Sequence, residues 1–309
     1  MTALSTSQQA ARCFQHRTPN YRALGFTFGI RGTDPDAIEY LETLFEPFRD
    51  DVEPETWYSF GSMTDGGKEQ YLLYCDDVLL DTNRRPSVVF QTLLWHINRR
   101  VVSESQDRLL IHASAVAVDG AALVFPAPME SGKTTLAAGL VRAGCAYLTD
   151  ETVALDLISG FVEPFPRALS VDPGSWEVLA DLRPNVHPRI AGYLTRQWQI
   201  PVSSIPGGAV ARASPVAHVV LPRYRPEEAT RLEPILRAEA FLELAHQSFN
   251  FHTHGAAGLA LLGRIVRGAT CHRLSVSDLD LACKMLLDLA HSAEQVGDSR
   301  RSLSRVARK

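Results

Sequence analysis

In the first hundred residues the apolar positions repeat every second residue, then every third or fourth, then every second again. Tyr21–Gly32 (YRALGFTFGIRG) predicts a strand, and DPDAIEYLETLFEPF predicts a helix with Ile38, Leu41, Leu44, Phe45 and Phe48 on one face. TWYSFGSM and EQYLLYCDDVLLDT predict further strands, the latter turning at Asp76-Asp77. PSVVFQTLLWHINRRVVSES predicts a helix with Pro86 suited to its first turn. Together these elements predict a small α+β region over residues 1–106, with its first twenty or so positions polar and frayed.

From Leu109 the pattern changes. RLLIHASAVAVDGAALVFPA is two β-rich runs joined at Asp119-Gly120, a dipeptide that favours a tight hairpin. A helix through TTLAAGLVRAG follows and ends at Gly144, then a strand CAYLTDETVALDL and a turn at Gly160. Pro184–Arg212 holds four prolines and the pair Gly207-Gly208, which predicts a loop or lid-like excursion. VAHVVLPRY reads as a buried strand, EPILRAEAFLELAHQSF and GAAGLALLGRIVRG as helices, and CHRLSVSDLDLACKMLLDLA as a strand then a helix capped at Ser277 or Asp278. The end of the chain is polar and basic, which predicts a disordered tail over 292–309.

Composition narrows the classes without naming one. Hydrophobic residues make up 45% and charged residues 21%, a globular balance, and the net charge of −4 argues against a nucleic-acid partner. No apolar run reaches the roughly 20 residues of a membrane span, and the N-terminus lacks the apolar core of a signal peptide, so the expected setting is the cytoplasm, away from any membrane. The five cysteines have neither CxxC pairing nor metal-ligand spacing, which predicts reduced, mostly buried thiols. Of the 31 basic residues only four are lysines, so Lys133 in a Gly-Lys-Thr triplet does not come from a lysine-rich background.

That triplet closes AALVFPAPMESGKTT. A phosphate cradle needs a buried strand, a tight loop with converging N–H groups, and a helix starting at the loop's end. AALVFP supplies the strand, Ala127, Pro128, Met129, Glu130, Ser131 and Gly132 the loop, and Lys133, Thr134 and Thr135 the first turn. The lysine reaches the β- and γ-phosphates of a nucleoside triphosphate such as ATP, and the Thr134 hydroxyl serves Mg²⁺. Ala127 stands where the first glycine of such loops belongs; an alanine fits there if its φ is negative, and Pro128 favours extended backbone before it. Seventeen positions separate Lys133 from Asp150, enough for one helix, a glycine turn and a return strand that brings Asp150-Glu151 back beside the loop. A carboxylate pair there can hold Mg²⁺ or take a proton from a hydroxyl.

In order, IHASAV, the loop, CAYLTDETVAL and PFPRALSV resemble the HPr kinase/phosphorylase family, relatives of ATP-dependent phosphoenolpyruvate carboxykinase. SFNFHTHG and CHRLSVSDLD resemble a branch of HPr-kinase-related proteins often encoded beside peptide-modifying enzymes. The resemblance spans Leu109 to Leu289 and is loose before it. It implies an α/β fold with a P-loop-containing core, a mixed, strongly twisted β-sheet with flanking helices, over residues 107–291. It further implies that Asp150 is the catalytic base and that Glu151, where many members carry a second aspartate, is a metal ligand or lies beside one. His112 is then either a core histidine or a group near the γ-phosphate. Arg167, stiffened by prolines, matches a position where a guanidinium stabilises the transferring phosphoryl group. Ser248 and Asn250 match the late motif and serve either nucleotide and acceptor or the cap of a helix; His252 and His254 are structural or substrate-facing.

The implied function is an ATP- and Mg²⁺-dependent kinase acting on a hydroxyl, serine first, of a peptide or small protein; relatives include kinases of ribosomally made peptide precursors. HPr kinases are hexamers, so a homo-oligomer is the implied assembly, although no assembly motif stands out. Two alternatives stay open: a kinase of small-molecule hydroxyls, and a nucleotide-binding regulatory or assembly protein without transfer. A carboxykinase-type lyase is weaker, for want of its additional His and Lys ligands. The N-terminal region and Pro184–Gly208 are the candidates for recognising the acceptor.

Overall fold

A computed structural model of the protein describes residues 14–65 and 67–306. Two compact units form: one from residues up to Gln106 together with Arg167–Pro201, the other from Asp107–Pro166 and Val202 onward.

The first unit opens with β1 (His16–Arg17), β2 (Tyr21–Ala23), β3 (Phe26–Gly32) and α1 (Pro35–Phe45). The frayed stretch expected at the N-terminus lies outside the described residues as far as residue 13. The single strand expected over Tyr21–Gly32 is a hairpin: Leu24 takes a left-handed φ of 52° and Tyr21 pairs with Phe28. Asp34 caps α1 by accepting from the Asp36 N–H, and Ile38, Leu41, Leu44 and Phe45 are its buried face. β4 (Thr56–Asp65), β5 (Lys68–Cys75), β6 (Val78–Asn83) and α2 (Pro86–Glu104) follow, with the β5–β6 turn at Asp76-Asp77. The sheet order is β1-β3-β4-β5-β6, with β2 also on β3.

In the second unit come β7 (Arg108–Ile111), β8 (Ala113–Val118), β9 (Ala121–Pro126), α3 (Lys133–Arg142), β10 (Ala146–Thr149), β11 (Val153–Asp156) and β12 (Phe161–Glu163). Asp119 and Gly120, with φ 50° and 79°, make the two-residue turn of the β8–β9 hairpin. Both long apolar runs are broken in the middle, β7 from β8 at His112 and β10 from β11 at Asp150–Thr152.

Residues 167–201, which the sequence assigned to the second domain, pack within the first unit. They form β13 (Leu169–Val171), the short helix α4 (Pro188–Ala191), and β14 (Trp198–Ile200), which pairs with β13. Much of the expected lid is therefore packed structure. Ile190, Tyr193, Leu194, Trp198 and Ile200 are buried, and Tyr193 lies against Phe60, Tyr71 and Phe90. Pro188, read as a loop signal, starts a short helix from its first turn.

The second unit resumes with β15 (Ser214–Tyr224), β16 (Arg231–Pro234), α5 (Arg237–His246), α6 (Phe251–Gly268), β17 (Thr270–Val276) and α7 (Leu279–Val306). No proline interrupts α7, which takes in part of the tail expected to be disordered; residues 307–309 lie outside the described residues. β15 is the spine of a nine-stranded mixed sheet, parallel to β9 on one side and β17 on the other. One arm runs β9-β8-β10; the other leaves the start of β15 through β12 to β11 and β7. The core joins Leu109, Val124, Leu155, Val219, Leu244 and Leu262 from both arms and from α5 and α6.

Candidate active site

Strand register brings the site together. Ile111 lies opposite Val153 in one arm, and Ala115 lies opposite Thr149 in the other. The two breaks, His112 and Asp150–Thr152, therefore face each other at one level of the sheet. Ala113 pairs with Pro126, so the same level is also where the loop of residues 127–132 leaves β9. β8 lies between β9 and β10: the return strand is not the immediate neighbour of the strand that feeds the loop, and the contact is made across β8.

The loop has the local form its sequence demands. Gly132 precedes α3 with φ 88°, a left-handed conformation that glycine adopts without penalty. Ala127 is buried and is not among the residues with positive φ, so the substituted first position is unstrained. Glu130 and Glu151 have φ 61° and 70°. A side-chain-bearing residue in that region costs about 1–2 kcal/mol, and such outliers cluster at functional sites.

Lys133 is buried, and its Nζ donates to the carbonyls of Ala127 at 2.8 Å and Pro128 at 2.7 Å, closing the loop on itself. Burial pulls its ammonium below the ordinary lysine range, while Asp150 and Glu151 oppose that shift. Thr134 Oγ1 donates to the fully buried Asp150 carboxylate, 3.2 and 3.1 Å from its two oxygens. Ser131 Oγ is buried at the loop with no protein partner, as is Thr152 Oγ1 beside the carboxylates. Ser114, in the strand next to the loop, donates to the Lys133 carbonyl at 3.3 Å.

His112 Nδ1 lies 3.3 Å from Gln247 Oε1, and its backbone N–H donates to the Gln247 carbonyl at 2.8 Å. Burial holds the imidazole below its ordinary range and the nearby Lys133 ammonium adds to the effect; the Gln247 contact and Glu151 act the other way. His112 thus shares an electrostatic neighbourhood with Lys133 and Glu151.

The late-motif residues bond to the strand that leads into His112. Asn250 accepts from the Leu110 N–H at 3.0 Å and donates to the Arg108 carbonyl at 2.8 Å, and Ser248 Oγ donates to the Leu110 carbonyl. Both are therefore held against the backbone of β7. His254 Nε2 sits 2.9 Å from that same Arg108 carbonyl, which gives this histidine a structural contact. Arg167 belongs to the first unit, where its guanidinium donates to Ser170 Oγ at 3.1 Å. Ser114 and Gln247 are the members that sequence reasoning missed. Ser114 sat in the quoted IHASAV motif, but Gln247 had no local signal.

No protein-family model matches the chain, and no curated protein does. Among solved structures the chain is similar to the Hpr(Ser) kinase/phosphatase from Coxiella burnetii, with 10% identity and a TM-score of 0.30, over 62% of this chain and 98% of that one. At those values the likeness is distant and assigns no activity. Among the described residues, no helix is long and apolar enough to cross a membrane, and Cys75, Cys145, Cys271 and Cys283 are free and buried.

Proposed function

We propose that the second unit is an ATP-dependent phosphotransferase that passes a γ-phosphate to a hydroxyl, serine first, on a peptide or small protein such as a ribosomally made precursor. The observation that carries this reading is one contact: Thr134, in the first turn of the loop's helix, donates to the buried carboxylate of Asp150. It joins a phosphate cradle to a proton acceptor at the same end of the sheet.

The residues present fit a nucleotide. Main-chain N–H groups at the start of α3 and its positive dipole end favour an anion, and the unpartnered Ser131 hydroxyl lies within the same loop. Among the described residues no three His, Cys, Asp or Glu side chains gather to hold a metal by themselves. Thr134, Asp150 and Glu151 would hold Mg²⁺ together with phosphate oxygens, the usual division of labour for that ion. Bound there, the ion neutralises charge on the phosphates. Lys133 must exchange its loop carbonyls for phosphate oxygens, which couples nucleotide entry to loop opening. Asp150 takes the acceptor proton as the new O–P bond forms and the bond to the β,γ-bridging oxygen breaks, releasing ADP.

The test is turnover of Mg·ATP with peptides encoded nearby, read by intact mass. Lys133→Ala is expected to abolish nucleotide binding. Asp150→Asn should keep binding while transfer falls ~10²-fold or more. Normal turnover in Lys133→Ala removes the cradle, and binding with no transfer to any acceptor leaves a nucleotide-binding regulator instead.

A further inference from the structure

The groups behind His112 form a chain of fixed polarity. Gln247 Nε2 donates to Glu243 Oε1 at 2.9 Å, and a carboxylate can only accept, so the amide orientation is settled: its oxygen faces His112. An amide oxygen also only accepts, so His112 Nδ1 must carry the ring proton. The backbone bond from His112 N–H to the Gln247 carbonyl pins the end of α5 to the break between β7 and β8, and the Phe249 ring, 5.9 Å from the imidazole, flanks it. Gln247 is buried, which keeps water from competing for the contact.

We propose that Glu243 and Gln247 are positioning residues that hold neutral His112 as its Nδ1–H tautomer, leaving the Nε2 lone pair as the only ring acceptor beside the phosphate loop. The tautomer follows from the hydrogen bonds alone. What Nε2 serves rests on the phosphotransferase reading: it accepts from the incoming hydroxyl or from Lys133 and so helps present that proton donor to the site, while Asp150 takes the proton. The chain does for an imidazole what a carboxylate partner does elsewhere, but through a neutral amide that does not raise the ring's basicity as strongly.

The experiment is long-range ¹H–¹⁵N correlation on the full-length protein with labelled histidine, at a pH where the ring is neutral. His112 is assigned by its disappearance in His112→Gln. The wild type should show Nδ1 protonated and Nε2 unprotonated. Gln247→Glu, which keeps an oxygen acceptor, should preserve that pattern. Gln247→Leu should lose it, and Glu243→Gln, which frees the amide to turn over, should give a mixture. In ATP turnover Gln247→Leu should lower kcat ~10²-fold with KM little changed, and Gln247→Glu should recover most of it. An Nε2–H wild type, a tautomer indifferent to both Gln247→Leu and Glu243→Gln, or an unchanged kcat in Gln247→Leu overturns the proposal. If the wild type shows the expected tautomer but no nucleotide turnover, the kinase reading fails and the tautomer assignment stands.

Discussion

Asn250→Ala tests whether the late motif holds the sheet together or touches substrate. β7 ends one arm of the sheet, with β11 on one side and residues 248–250 on the other. An edge strand must have its outward N–H and C=O groups satisfied or covered. Asn250, 4% exposed, does both jobs, accepting from Leu110 and donating to Arg108. In the alanine variant the Arg108 carbonyl keeps His254 Nε2 at 2.9 Å, so the orphaned group is the Leu110 N–H. A buried unsatisfied N–H costs about 1–3 kcal/mol and a lost net hydrogen bond about 1, which together give about 2–4 kcal/mol. With a urea slope of about 2 kcal/mol/M for a unit of this size, the midpoint of the second unit's transition should fall by about 1–2 M. The assay is urea denaturation followed by circular dichroism, with ATP turnover measured well below the transition, where kcat and KM should stay close to wild type. A midpoint within about 0.2 M of wild type refutes the clamp. A large rise in acceptor KM without loss of stability would make Asn250 a substrate contact instead.

Two further predictions follow from burial. Gly139→Ala should destabilise by about 1–3 kcal/mol, because an added Cβ would lie 2.9 Å from both Cys283 Sγ and Leu279 Cδ1; the same change in an exposed helix stabilises, so a raised melting temperature would show that α3 and α7 can part cheaply. His218 is 1% exposed, and burial, helped by His272, lowers its pKa to about 4. The unfolded chain binds that proton first, so stability is complete above the ordinary value of about 6.5 and is lost as pH falls from there toward 4, by up to about 3 kcal/mol. Denaturation midpoints at pH 7 and pH 5 should differ more in the wild type than in His218→Gln; equal differences would sink the assignment.

The local features were legible because their causes are local. Asp119-Gly120 sets a two-residue turn, Asp34 and Pro35 start a helix, and strand, loop and Gly-Lys-Thr are contiguous, so the strand–loop–helix unit could be read from fifteen residues. Even the alanine at position 127 was resolved by the φ available to it. The hairpin inside Tyr21–Gly32 was missed because a left-handed Leu24 is an uncommon choice that no propensity announces.

By itself, then, the sequence determined the strand, loop and helix that end in Gly-Lys-Thr and nominated Asp150 beside them, since both depend on neighbours in the chain. Tertiary structure alone decided that His112 faces Asp150–Thr152, because a period-two pattern says which face a residue takes but not which strand lies next to it. It also placed Asn250 at the edge of β7, Gln247 behind His112, and residues 167–201 in the first unit. Those are pairings between segments more than a hundred residues apart, or between a segment and a unit it leaves and rejoins, and hydrophobic patterning carries no address for its partner.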